Sequence, residues 1–220
     1  MPYRRVIPLR SRAGAQPVLV AILGHQRSAK GYDRLPEIAE QLLLARPDIR
    51  LLLQNVAPIG PPETQQKLRD LAANYDQLTL DEEPAGRTGW PQLLERTDLI
   101  LCPHRPQFYV AGFSTVAAEA LANGIPLVVP AATPLATLLA ECGEPGTTFD
   151  QFEPAEITAA SCRALDHFDH IATRAYAAAM RWPEMHGPAR MVDDLMSLIT
   201  SPYPAIKENE PKAGIWCRFA

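Results

Sequence analysis

Two short apolar runs that end in proline, residues 98–103 (DLILCP) and 125–130 (IPLVVP), stand on either side of an alanine-rich segment. That pattern leaves little choice of fold. Continuous apolar runs of this length fit strands buried on both faces, as in a parallel sheet. The segment between them reads as a helix. Ala117, Ala118, Ala120, Leu121 and Ala122 favour helix, Ser114 or Thr115 suits its N-cap, and Asn123-Gly124 suits its stop. A loop that leaves the carboxyl end of a parallel strand and enters a helix aims free backbone N–H groups at whatever lies there, which suits a phosphate. Gly112, in that loop, lets the backbone come close to a ligand.

The same alternation runs along most of the chain. Strands are expected at 17–24, 49–55, 77–80, 98–103 and 125–130, with a short sixth at 147–149. From Leu35 the spacing Leu35, Ile38, Ala39, Leu42, Leu43 is helical, with Asp33 read as its N-cap and Arg46-Pro47 as its stop. Further helices are expected at 63–75, 89–96, 134–142, 153–168, 172–180 and 189–199, with Trp182-Pro183 read as an interruption. Strands alternating with helices predict an α/β, Rossmann-like parallel sheet covered on both faces, its ligand crevice beyond the carboxyl ends of the strands. Two loops there carry polar chemistry, 24–31 and 104–114.

With 220 residues and 47% apolar content, the chain is able to bury one good core. We read 1–16 as a lead-in, 17–202 as one domain and 203–220 as a tail. A net charge of −4 without a basic cluster argues against nucleic acid and against an acidic membrane surface. Cys102, Cys142, Cys162 and Cys217 lack metal-ligand spacing, so reduced thiols and no metal are expected. No 18-residue apolar run and no signal-peptide pattern appear, and a cytoplasmic location is the expectation.

Three features in order resemble the carboxyl-terminal, nucleotide-sugar-binding half of a family 4-type retaining glycosyltransferase with the GT-B fold. They are LGHQRSAKGYD from Leu23 to Asp33, the strand at 98–103, and the stretch from Gly112 to Pro130. The resemblance implies that Lys30 pairs with a donor diphosphate and that amides around Gly112, Phe113, Ser114 and Thr115 bind it. It further implies that Glu119 accepts hydrogen bonds from the ribose hydroxyls. Such groups make chemical sense, because a diphosphate leaving group gains negative charge as the glycosidic bond breaks, and a lysine beside a helix N-terminus stabilises it without a metal. No cofactor is implied beyond the nucleotide-sugar substrate.

The chain also departs from that pattern. His25 follows the strand glycine where the family has arginine and is itself a candidate donor contact, with Arg27 the substitute candidate for phosphate contact. A glutamate that contacts the transferred sugar in the family falls here on Ala111, with Tyr109, Ser114 and Thr115 as alternative hydroxyls; His104, Gln107 and Tyr109 otherwise read as loop surface. The GT-B fold has two Rossmann-like halves, and the sequence reads as one. The implied partner is therefore an acceptor-domain chain, or a second copy paired through the last helix and the apolar tail residues Trp216 and Phe219. Alternatives are a non-catalytic nucleotide-sugar-binding module, a subunit of a split enzyme, and a nucleotide-sugar epimerase of the same fold.

Overall fold

A computed structural model describes residues 6–9 and 16–200. The strands are β1 (Val18–Ile22), β2 (Ile49–Gln54), β3 (Leu78–Asp81), β4 (Leu99–Leu101), β5 (Leu127–Pro130) and β6 (Gly146–Phe149). Among the described residues they form one sheet of order β3-β2-β1-β4-β5-β6, and every pairing is parallel. This is the α/β Rossmann-like sheet expected from the apolar runs. Strand ends lie one or two residues inside several of the expected limits, yet backbone bonding continues past β4, since Cys102 N–H donates to Val128 O.

The helices are α1 (Leu35–Ala45), α2 (Pro62–Asn74), α3 (Gly86–Arg96), α4 (Thr115–Asn123), α5 (Pro134–Glu141), α6 (Pro154–Asp166), α7 (Phe168–His186) and α8 (Pro188–Thr200). On one face of the sheet, Val18, Val20, Ile22, Ile49, Leu51, Leu53, Leu99 and Leu101 form a core with α1, α6 and the first turns of α7. The alternate residues Ala21, Leu52, Ile100, Leu127 and Val129 are just as buried, because strand side chains alternate between faces. Helices α4 and α5 pack against β5. Ile7, in the segment read as a lead-in, is buried, and its N–H donates to Asn123 O at the end of α4.

Two local expectations need correction. Asp33 does not cap α1: Arg34 takes that position without a side-chain hydrogen bond, while Asp33 pairs with Arg105 from a loop far along the chain. An opposite charge outcompetes a local cap here. Nor do Trp182 and Pro183 end their helix, which continues to His186 with Pro183 inside it. Proline there removes a single backbone bond near the helix end, and Gly187 provides the actual stop. The chain divides into two compact units, 1–182 with the sheet and 183–220 with α8. In the second, Met191 and Leu195 lie one turn apart on α8. The tail at 203–220, with Trp216 and Phe219, lies outside the described residues.

Candidate functional site

In the order β3-β2-β1-β4-β5-β6 the chain reverses direction of travel between β1 and β4, so the loops that follow these two strands meet at the carboxyl end of the sheet. Arg105 laces them together. Its N–H donates to Ala29 O at 3.0 Å and its Nε to Ser28 O at 3.0 Å; its guanidinium pairs with Asp33 and lies 4.4 Å above the Phe152 ring. Gly31 lets the first loop sit this close: its φ is +79°, and a Cβ there would overlap Pro103 O. The result is a fixed turn, Ser28–Lys30, that aims Lys30 inward.

Lys30 and the start of α4 converge over Gly24. A Cβ built on Gly24 would lie 3.1 Å from Lys30 Nζ and 3.2 Å from Val116 Cγ2. At α4, Ser114 is the N-cap, and its Oγ accepts from Ala117 N–H at 3.4 Å, as expected for one of the two cap candidates. Helix geometry leaves the N–H groups of Thr115 and Val116 without intrahelical acceptors, so the positive end of α4 faces the same space as the ammonium.

No carboxylate balances Lys30 among the described residues. Burial is the main cause that lowers its pKa, and Arg27 lowers it further. Its other charged-capable neighbours are neutral at pH 7. Burial pushes the Cys102 thiol up to about 12, and burial followed by the nearby ammonium lowers His104 to about 3. A half-buried cation with only neutral or positive neighbours has the electrostatics that suit an anion.

Glu119 lines a cavity of about 390 Å³ together with Gly24, His25, Thr115, Val116 and Trp90. Its Oε2 accepts from Trp90 Nε1 at 2.6 Å, which fixes the carboxylate. Val56, Pro84 and Ala85 give the same cavity an apolar wall. Gln54 closes its floor, accepting from Gly24 N–H at 2.7 Å through Oε1 and from Gln26 Nε2 at 2.7 Å through its backbone O.

Of the residues singled out in the sequence, Lys30, His25, Thr115 and Glu119 are brought around Gly24, with Ser114 behind them as the cap. Gly112 packs against Tyr109, whose Cδ1 would be 3.0 Å from an added Cβ. Arg27 is exposed and contributes mainly backbone, its carbonyl accepting from Lys30 N–H and Tyr32 N–H. Phe113 is 70% exposed and points away from the core. Trp90 and Gln54 were missed. Their only sequence signal is position: Gln54 ends β2, and Trp90 lies on α3, the helix that follows β3. His104, read as loop surface, is buried, and neither ring nitrogen has a partner.

That burial predicts an acid-sensitive fold. The unfolded chain protonates His104 near pH 6.5, whereas the folded chain resists until about pH 3, so its contribution is complete above 6.5 and is withdrawn as pH falls. The loss is about 1.4 kcal/mol per pH unit within that window. Denaturant unfolding at pH 6, 5 and 4 should show close to this slope in the native chain and a shallower one in His104→Phe; parallel slopes would contradict the assignment.

A groove of about 500 Å³ along β6 is larger, but its Arg163 donates to Thr148 O and its Arg174 pairs with Glu144. Its guanidiniums are engaged, unlike Lys30, so the β1–β4 crevice is the better candidate. Among the described residues no helix is long and apolar enough to cross a membrane, and no metal-binding cluster is present.

The same architecture recurs in solved glycosyltransferases. The chain is similar to WaaG, a glycosyltransferase involved in lipopolysaccharide biosynthesis, with a TM-score of 0.61 and 20% identity over 86% of this chain and 48% of that one. It is also similar to the C-terminal domain of LpcC, a glycosyl transferase group 1 family protein from Francisella tularensis, at 0.57 and 19% over 75% and 86%. OtsA matches at 0.65 and 16% over 86% and 45%. The chain thus spans about half the length of WaaG and of OtsA, and at these identities the likeness is one of fold. No curated protein matches the sequence. The family model for glycosyl transferases group 1 matches residues 16–167, the whole sheet and helices α1 to α6, and the chain belongs to that family.

Proposed function

We propose that this chain binds the nucleotide-sugar donor of a glycosyl transfer reaction, with the diphosphate between Lys30 and the start of α4. The half-buried Lys30, without a carboxylate partner among the described residues and set across Gly24 from the first turn of α4, carries this reading. When the glycosidic bond breaks, charge grows on the diphosphate, and both groups stabilise it through interactions that need no reorganisation. Glu119 accepts from the ribose through Oε1, Trp90 holds its other oxygen, and the apolar wall takes the base. Transfer also requires an acceptor site. The half-length match to WaaG and OtsA supports a second Rossmann-like unit as its source, on another chain or domain.

Glu119→Gln tests the nucleoside side separately from the phosphate side. It keeps the shape and weakens acceptance from the ribose, so titration calorimetry should show weaker binding of a nucleoside diphosphate by about 1 kcal/mol and little change for inorganic pyrophosphate. Equal losses for both ligands would place Glu119 at the phosphates or in the fold and reject this role.

A further inference from the structure

His104 is a buried polar group at this end of the sheet whose two ring nitrogens nothing described so far employs. It is 3% exposed, and neither Nδ1 nor Nε2 has a hydrogen-bond partner within the protein. Buried polar atoms are nearly always partnered, so an unsatisfied imidazole beside a binding crevice points to a ligand. Both nitrogens are closed off from solvent, so a ligand reaches the ring only when its cover, the half-buried Tyr109, moves aside. The two ring centroids lie 4.3 Å apart, Tyr109 packs on Gly112, and Arg105, the residue after His104, ties the loop to Ser28 and Asp33.

Its position relative to Lys30 says which part of a donor it meets. Lys30 adjoins the cavity that holds Trp90 and Glu119 through Gly24, and its loop also flanks His104, which is not among that cavity's lining residues: Arg105 N–H donates to Ala29 O, and Pro103 O abuts Gly31. A ligand with its nucleoside at Glu119 and its diphosphate at Lys30 has one part left, the glycosyl group. We propose that His104 is a specificity-determining residue that hydrogen-bonds a hydroxyl of the glycosyl group carried by the donor. This rests on the donor-binding reading above. The chemistry suits a neutral polyol: a neutral imidazole offers one N–H donor and one lone pair, whereas a protonated ring would only donate. Burial keeps the ring neutral at physiological pH, so both functions are available to hydroxyls.

The test compares affinities with and without the sugar. His104→Phe keeps the ring and its Tyr109 contact but removes both nitrogens, and His104→Gln restores a donor and an acceptor. Calorimetry with UDP, UDP-glucose, UDP-N-acetylglucosamine, GDP and GDP-mannose gives, for each base, the ratio of sugar-nucleotide to nucleotide affinity. In His104→Phe that ratio should fall about three- to tenfold for at least one sugar while UDP or GDP binding stays unchanged, and His104→Gln should recover much of it. An unchanged ratio for every sugar, or equal loss of nucleotide and sugar nucleotide in folded protein, overturns the inference. If His104→Phe does not fold, His104→Leu, smaller and also without ring nitrogens, takes its place and is judged by the same outcomes. The donor reading fails separately, when the unsubstituted protein binds neither nucleotide or when Lys30→Ala binds both as well as it does.

Discussion

Lys30→Ala is expected to weaken nucleoside diphosphate binding by about 1.5–3 kcal/mol, the range for hydrogen bonds to charged groups. Inorganic pyrophosphate should lose as much, because the contact is to phosphate. The prediction follows from the absence of a competing partner among the described residues: the ammonium has no carboxylate there to surrender, so removing it costs the ligand its full contact. Stability should behave in the opposite way. The fold lowers the pKa of Lys30 and therefore carries an unfavourable buried charge whenever the ammonium is protonated, so the alanine variant should be no less stable at neutral pH. Affinity should also fall as pH rises through the lowered pKa, below the ordinary 10.5, since the neutral amine no longer attracts phosphate. Calorimetry with both ligands and a thermal unfolding curve measure all of this. Unchanged affinity in the variant would remove the lysine from the site.

Gly31→Val should cost about 2–5 kcal/mol of stability, combining a left-handed backbone that β-branched residues resist with overpacking at a closed contact. The backbone φ of +79° is required because Gly31 ends one tight turn and begins the next. A side chain would overlap Pro103 O and meet the Phe152 ring 3.2 Å away. Gly86 provides the comparison. It also has positive φ, +61°, but nothing lies within 4 Å of its missing Cβ, so Gly86→Ala should cost only the backbone part, about 1–2 kcal/mol. Chemical denaturation of the two variants separates strain from contact; similar losses in both would show that the two loops are not closely packed. Where Gly31→Val still folds, it should bind nucleotide weakly, because the turn that aims Lys30 is displaced.

What the sequence revealed and what it hid divide along sequence separation. Apolar runs closed by proline or glycine marked the strands, because a strand buried on both faces has to be apolar throughout. Ser114 and Gly124 marked the ends of α4 because capping is local chemistry. Lys30-Gly31 and Glu119 stood out because they sit at loop and helix positions where the strand order places a crevice. The contacts that finish the site join residues far apart in the chain. Trp90 with Glu119, Gln54 with Gly24 and Arg105 with Asp33 each link different elements. No local pattern announces such pairs. The burial of His104 was hidden for the same reason, since its cover comes from Tyr109 folding back and from the loop that Arg105 ties down.

A crystal structure of the protein with the nucleoside diphosphate that binds it tightest is the most direct measurement. The expected complex has phosphate oxygens about 2.7–3.2 Å from Lys30 Nζ and from the Thr115 and Val116 amides, with the ribose on Glu119 and the base near Trp90. A nucleotide seated in the groove along β6, with Lys30 contacting no part of it, would contradict the account.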